Sequence, residues 1–514
     1  MKELLAVEPS QDADLRVCLT YPNEYRGMAS NLGFHIVHKI LAGIPGVSVE
    51  RSYVPTDAYE SFGPNRTLVS LETGSPLSEF DVVGFSLQFE LDYPHMLEAL
   101  IMGGIPLRRE DRDENDPLVL AGGPCTVNPR PLEPYVDVFY VGEAEAGLKE
   151  GIEAILTARD RRDALEDVAD LPGFYVPEYP GTVDRMTVND LGETDPPKIT
   201  FAPEDTDHAG LRAYPVELGR GCPYRCTFCL GGFTAGHMRY RPVEQILEVL
   251  EDVEKSPYDR VAMISTSPTL HPEFEEILEE CLERRFEISL PSTRINDLDP
   301  ELLPELREAG VRTLTLAPES GSENVLKFLN KPLDMDHLLE LVENSGRLGI
   351  RVKLYFIVGI PGFSPEEDTV ASARLARECA RLADVRVSVN PLIPKAYTPL
   401  QYSEMLPARE INRRYRLFER EFGGRVSFED PELARAQCLL SRGDVDVSRI
   451  LEEVLWNARS SGTWARAMKA HRVSISPDRP PGGPEDVPYD FVRAGPDHEE
   501  LYRIFTSLQC APMK

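Results

Sequence analysis

The chain has no long apolar run, and it does not open with a basic patch followed by an apolar stretch. A membrane-spanning helix needs about 20 consecutive apolar residues, and a secretory leader needs that charge-then-apolar order. Neither is expected, so a cytoplasmic location is. Positive charge is scarce. Asp and Glu number 86 against 55 Lys and Arg, the formal net charge is −31, and arginine greatly outnumbers lysine. Tight nucleic-acid binding draws on a basic face, so a nucleic-acid partner is not expected. Cysteine is sparse as well. There are nine, and three of them are clustered, which suits a reducing compartment and a metal centre better than a disulfide framework. No internal repeat or low-complexity tract occurs, and no G-x-G-x-x-G follows the N-terminal strands to mark a dinucleotide site.

What is present is a chain of 514 residues, 42% hydrophobic, long enough for two or three domains with real cores. Residues 1–15 are polar and read as loose. Strand-like runs follow at 16–22, 47–54, 81–87, 118–122 and 136–141, alternating with helical spacing at 30–41, 94–102 and 144–157. That alternation predicts an α/β, doubly wound, Rossmann-like domain over residues 1–157. The turns after its strands carry Tyr21, Ser86, Gln88, Gly122, Gly123, Gly142 and Glu143. They lie at carboxyl ends of strands, where open α/β sheets bind ligands. Residues 158–213 read as a connection with short strands. Six strand–helix units then begin at 214, 260, 287, 313, 351 and 385, predicting a partial (β/α)6 barrel of the TIM type over 214–404. Residues 405–514 read as mostly helical, with helices at 408–421 and 445–468. His35 and His38 fall in the first helix and read as helix-face residues. Cys18, Cys125, Cys281, Cys379, Cys438 and Cys510 read as small buried residues, with Cys125 placed in one of the ligand-facing turns.

The densest chemical signal is Gly-Arg-Gly-Cys-Pro-Tyr-Arg-Cys-Thr-Phe-Cys, which sets Cys222, Cys226 and Cys229 three and then two residues apart. It follows the first barrel strand, on the face where such barrels carry their active sites. Three thiolates at this spacing hold three corners of an iron–sulfur cube and leave one iron open. Structural zinc is the alternative, and it asks for a fourth ligand, for which His237 is the nearby candidate.

With C-x3-C-x2-C on the page, the chain resembles the radical SAM superfamily. The phrases DVVGFSLQFE, LVLAGGPCTVNP and VFYVGEAEAG are similar to the N-terminal cobalamin-binding domain of many of its members. The resemblance implies a 4Fe–4S cluster on Cys222, Cys226 and Cys229, S-adenosylmethionine (SAM) on the open iron, and reductive cleavage of SAM to a 5′-deoxyadenosyl radical. It also implies cobalamin in the N-terminal domain. No D-x-H-x-x-G occurs there, so no histidine is offered as a lower cobalt ligand. In the barrel it implies that Ser265 and Ser267 lie where the family holds the SAM amino group, although the family's Gly-Gly-Glu-Pro is replaced by Ser-Thr-Ser-Pro here. Ser292 and Arg294 are placed for the ribose and the carboxylate, and a guanidinium suits a carboxylate because its fork donates two parallel bonds. Glu319, in PESGSENVLKFLNK, is placed for a SAM polar group, with Asn330 and Lys331 as caps or ligands. Gly359, Pro361 and Phe228 are placed near adenine, and Tyr397 and Gln401 toward substrate. The implied activity is cobalamin-dependent C-methylation of an unactivated carbon, fed by an electron donor such as ferredoxin or flavodoxin. Alternatives are radical cyclisation or rearrangement, methylthiolation of RNA, and a non-catalytic cobalamin or SAM binding module. Methylthiolating enzymes carry extra N-terminal cysteines, and only Cys18 and Cys125 are present here.

Overall fold

The computed structural model describes residues 2–5, 8–10, 13–55 and 67–510. Strand β1 (Glu3–Leu5) comes first, and five parallel strands follow: β2 (Leu15–Tyr21), β3 (Val47–Tyr53), β4 (Val82–Ser86), β5 (Leu118–Gly122) and β6 (Val138–Tyr140). They lie in the order β3-β2-β4-β5-β6, and β7 (Phe174–Tyr175) joins β6 antiparallel at the edge. This is a doubly wound order whose direction of winding switches between β2 and β4, so a crevice opens at their carboxyl ends. The strands read as near-continuous apolar runs because helices cover both faces. Val17, Leu19, Val83, Phe85, Val119 and Phe139 are all buried.

The helix Leu32–Ala42 starts where Asn31 Oδ1 accepts from Phe34 N at 2.8 Å. Its His35 and His38 do lie on a helix face, and that face is buried. Thr200 N–H donates to His35 Nδ1 at 3.1 Å, His35 Nε2 meets the Ala29 carbonyl at 3.2 Å, and His38 Nδ1 lies 2.8 Å from Thr200 Oγ1. Both rings pack on Phe201. They pin β9 (Phe201–Pro203), which pairs antiparallel with β1. The first fifteen residues therefore include a strand, where their polarity alone predicts a loose segment.

Burial lowers the pKa of His35 from 6.5 to about 4 and that of His38 to about 3. The unfolded chain takes up these protons near pH 6.5 while the folded chain refuses them, so stability is present above that pH and is lost as pH falls through it. Each ring contributes up to about 1.4 kcal/mol per pH unit between the two values. Urea unfolding at pH 7 and pH 5 is expected to show a smaller loss in His35→Gln than in the wild type. Equal losses would refute the assignment.

After the connection, which holds β8 (Val183–Asp184), comes the barrel. Strands β10 (Tyr214–Glu217), β13 (Arg260–Ile264) and β14 (Glu287–Ser289) form one parallel sheet. Strands β15 (Thr313–Glu319), β16 (Arg351–Val358), β17 (Val385–Pro391) and β18 (Val426–Phe428) form another. A parallel bridge between Thr293 and Leu316 joins the two. Six strands are expected from the sequence. The seventh, β18, comes from the stretch read as helical, where a three-residue strand after Gly423-Gly424 gives periodicity nothing to register. Along β16, burial alternates residue by residue. Val352, Leu354, Phe356 and Val358 pack on the outer helices, while Lys353, Tyr355 and Ile357 face the concave side.

The C-terminal region is helical otherwise, though 445–468 is two helices, Ser448–Val454 and Ser461–Ala470, separated near Trp456 at φ 68°. The region clamps the N-terminal domain. Asn128 Nδ2 donates to the Ser441 and Gly443 carbonyls at 3.0 Å each, and Tyr135 OH donates to Glu452 at 2.9 Å. It also ties to the connection, since β19 (Val492–Arg493) pairs with β8. Cys18, Cys125, Cys281, Cys379 and Cys438 are buried as expected, and the side chain of Cys510 lies outside the described residues. Among the described residues no helix is long and apolar enough to cross a membrane.

Candidate active site

A two-strand ribbon, β11 (Gly219–Arg220) with β12 (Arg239–Tyr240), carries the cysteine loop beyond the end of β10. Gly221 at its neck has φ 94°, and a Cβ there would stand 2.0 Å from the His237 carbonyl oxygen. Only glycine lets the two arms close this tightly. Cys226 is buried, and Cys222 and Cys229 are half-buried. Burial pushes all three thiols up. Backbone N–H groups of Tyr224 at Cys222, and of Gly231 and Gly232 at Cys229, pull the other way, as do Lys331 and Arg294 at Cys226. Arg294 Nη1 donates to Cys226 Sγ at 3.7 Å. Three soft sulfur donors, ringed by N–H groups and two cations, fit an iron–sulfur cluster, whose thiolates bring negative charge. His237 is exposed, and among the described residues no three or more His, Cys, Asp or Glu side chains are gathered as a single metal ion requires. Zinc needs its thiolates at about 2.3 Å from one point, whereas a cube meets them at separate corners.

The residues that the resemblance places around SAM follow. Arg294 lies with its guanidinium 3.6 Å from the centre of the Tyr224 ring. Tyr224 OH donates to Asp297 at 2.5 Å, and Ser267, which is buried, donates to the same carboxylate at 3.1 Å. Ser267 and Arg294 therefore meet through Tyr224 and Asp297, neither of which the sequence singled out. Ser292 is exposed beside them, and Phe228 packs half-buried against the core. Glu319 has φ 62° at the end of β15 and accepts from Lys331 Nζ at 2.6 Å. Lys331 thus joins the site, standing near Glu319 and Cys226. Gly359, with φ 79°, and Ile360 donate their N–H groups to Asp368, which Arg414 holds in turn. That buried pair shapes the Gly359–Pro361 turn. Tyr397 and Gln401 do not face an open site: both are fully buried, and Gln401 is tied to Tyr397 N, Tyr489 OH and His498.

At the N-terminal sheet, a cavity of about 620 Å³ opens along the carboxyl ends of β4, β5 and β6. Ser86, Gln88, Gly122, Gly123, Gly142 and Glu143 all line it. Tyr21 does not, and its ring packs edge-on against Phe34 in the core. Toward the sheet the cavity is an apolar slot between Val17, Leu19 and Val82 on one side and Leu32, Ile36 and Val37 of the helix Leu32–Ala42 on the other. Its far wall is the cluster loop, through Gly221, Leu230, Gly231 and Thr234, with Ser265 and Thr266 beside them. Glu143 bridges the two walls. It accepts from Arg239 at 2.8 Å and from Arg220 at 3.3 Å, and Arg220 also pairs with Glu145 and Glu217 at 2.6 Å each. These partners are distant in sequence, so Glu143 reads as a turn residue there.

Comparison with known proteins decides the family. Residues 33–177 match the family described as radical SAM proteins, N-terminal, and residues 216–373 match the radical SAM superfamily. Together the two matches span more than half of the chain. The chain belongs to the radical SAM superfamily of enzymes. An uncharacterised protein of Methanocaldococcus jannaschii is 28% identical over 444 residues, covering 85% of this chain and 90% of the relative. A putative methylthiotransferase of the same organism is 27% identical, covering 66% of this chain and 74% of its own length. The solved structure of the radical S-adenosylmethionine methyltransferase TsrM from Kitasatospora setae, with cobalamin and a 4Fe–4S cluster bound, is similar with a TM-score of 0.55 at 15% identity. That likeness covers 89% of this chain and 99% of the other, and it is one of fold.

Proposed function

We propose that this radical SAM enzyme is cobalamin-dependent and transfers a methyl group to an unactivated carbon, with the cluster on Cys222, Cys226 and Cys229. The supporting observation is the single cavity that runs from the Gly122–Gly123 and Gly142–Glu143 turns to the flank of the cysteine loop. A large ligand seated at those turns would face the cluster across one open space. The residues fit cobalamin: glycine turns leave room for a broad ring, the apolar slot along Val17 and Ile36 suits the flat benzimidazole base that ends its nucleotide tail, and Ser86, Gln88 and Arg185 offer hydrogen bonds to peripheral amides. No histidine lines the cavity among the described residues, and His35 and His38 are committed to Thr200. When bound, the cluster supplies the electron that cleaves SAM, and cobalamin supplies a transferable methyl group.

The chain's own residues hold and shield these partners. Arg294, released from Cys226, reaches a carboxylate, and Glu319 accepts from an amine or hydroxyl once Lys331 shifts. Glu143 and Arg220 fix the spacing between the sheet and the cluster loop. The apolar slot keeps water out.

Methylthiolation is the reading that the methylthiotransferase relative favours. It asks for a second cluster in the N-terminal domain, where Cys18 and Cys125 are both core residues.

The test is anaerobic reconstitution with iron, sulfide, cobalamin, reductant and SAM carrying a deuterated methyl. The expected result is one cobalamin and four irons per chain, release of 5′-deoxyadenosine, and label on the bound cobalamin. Twice that iron would favour methylthiolation. Deoxyadenosine with no labelled cobalamin would leave a rearrangement or cyclisation instead. Cobalamin retention without SAM cleavage would make the chain a binding module.

A further inference from the structure

We infer that the C-terminal helical region carries a second ligand site, for an anionic group (phosphate or carboxylate) attached to an apolar body. A cavity of about 420 Å³ opens among the helices Pro431–Arg442, Ser448–Val454 and Ser461–Ala470 and the loop 471–479. It shares no lining residue with the cavity beside the cluster loop. Met468, half-buried, gives it an apolar floor, and the fully buried Leu439 and Ile450 pack behind.

Its rim is cationic: Arg435, Lys469, Arg472 and Arg479 line it, with His471 between them. On a chain of net charge −31 this sign is the reverse of the average surface. Three carboxylates lie nearby, and Asp446 accepts from Ser474 N at 2.7 Å through one oxygen. Asp478, the acid in the lining, pairs with Arg435 at 2.6 Å, and Glu453 takes His471 Nε2 at 2.5 Å. Arg479 donates to the Val473 carbonyl of its own loop. Lys469 and Arg472 are exposed, and among the described residues neither meets a carboxylate within 4.0 Å or a hydrogen-bond acceptor. Two unengaged cations above an apolar floor match a ligand with a charged head and an apolar body. The head takes charge-assisted hydrogen bonds from the guanidinium and ammonium, and the body covers the half-buried Met468. A bare anion gains only the rim contacts.

Calorimetric titration of the full chain with phenyl phosphate, and separately with inorganic phosphate, tests this. Phenyl phosphate is expected to bind saturably at one site per chain, at least tenfold tighter than inorganic phosphate, and more weakly as salt rises. The double variant Lys469→Ala with Arg472→Ala should lose at least tenfold in affinity. Both side chains are exposed, so an unchanged circular dichroism spectrum and melting temperature would confirm that the variant is folded. The absence of saturable binding, or equal affinity in wild type and variant, overturns the site. Equal affinity for the two phosphates overturns the apolar body.

Discussion

Cys226→Ala is expected to abolish cluster assembly and, with it, all 5′-deoxyadenosine formation, while leaving cobalamin retention intact. The three cysteines do not contribute equally to the loop. Cys226 is its buried member, its thiol accepts from Arg294, and both Lys331 and Arg294 stabilise its thiolate. A methyl in its place leaves a cube with two protein thiolates and strands the two cations beside an apolar group. Cluster retention then collapses rather than weakening in proportion. The cavity at the N-terminal sheet has Gly221, Leu230 and Gly231 in its walls but none of the three cysteines, so the ring site should survive. Iron analysis should fall from four per chain to near zero, with the brown cluster absorption gone, and cobalamin should still co-elute. Full iron in the variant would mean that Cys226 is not a ligand. Loss of cobalamin together with iron would mean that the two sites fold as one, contrary to the separate linings.

Much of this arrangement was legible in the residues. Parallel strands buried on both faces write themselves as apolar runs, which is why β2, β4 and β5 are found within a residue or two of where hydrophobicity puts them. The glycine turns were legible for a similar reason: Gly123 sits at φ 111° with the Leu87 carbonyl 2.5 Å from where a Cβ would stand, so the position cannot carry a side chain. The relations between elements were not legible. Glu143 looks like any acidic turn residue until Arg220 and Arg239, roughly eighty and a hundred positions away, close on it. Tyr397 and Gln401 follow the sixth barrel strand and so looked substrate-facing. The C-terminal Tyr489 and His498 fold over them, and the four pack as a buried polar knot. Strand β18 needed its register with β17, Val387 to Val426, before it was a strand at all. Local pattern fixes an element, whereas the pairing of charges across domains depends on a topology that no window of sequence contains.

Gly122→Leu is expected to eliminate cobalamin retention without unfolding the protein, and the neighbouring glycine makes the contrast. At Gly122 the backbone is in the ordinary region, and the atom nearest to a built Cβ is the Tyr140 carbonyl oxygen at 4.0 Å. A side chain is therefore tolerated by the strand end, and because Gly122 lines the cavity it grows into the open space between the sheet and the cluster loop. At Gly123 even alanine meets the Leu87 backbone and a positive φ, so that substitution costs about 1–3 kcal/mol of fold stability and confuses the two effects. In Gly122→Leu the melting temperature and the iron content should match wild type, since nothing in the cysteine loop moves. Cobalamin affinity should drop at least tenfold, because a ligand pressed against that turn loses its closest backbone approach. SAM cleavage uncoupled from methyl transfer should persist. A variant that binds cobalamin as wild type does would put the ring elsewhere and remove the geometric basis for methyl transfer. A variant that loses cobalamin and keeps SAM cleavage would locate the ring at the turn, within reach of the cluster across the one cavity that joins them.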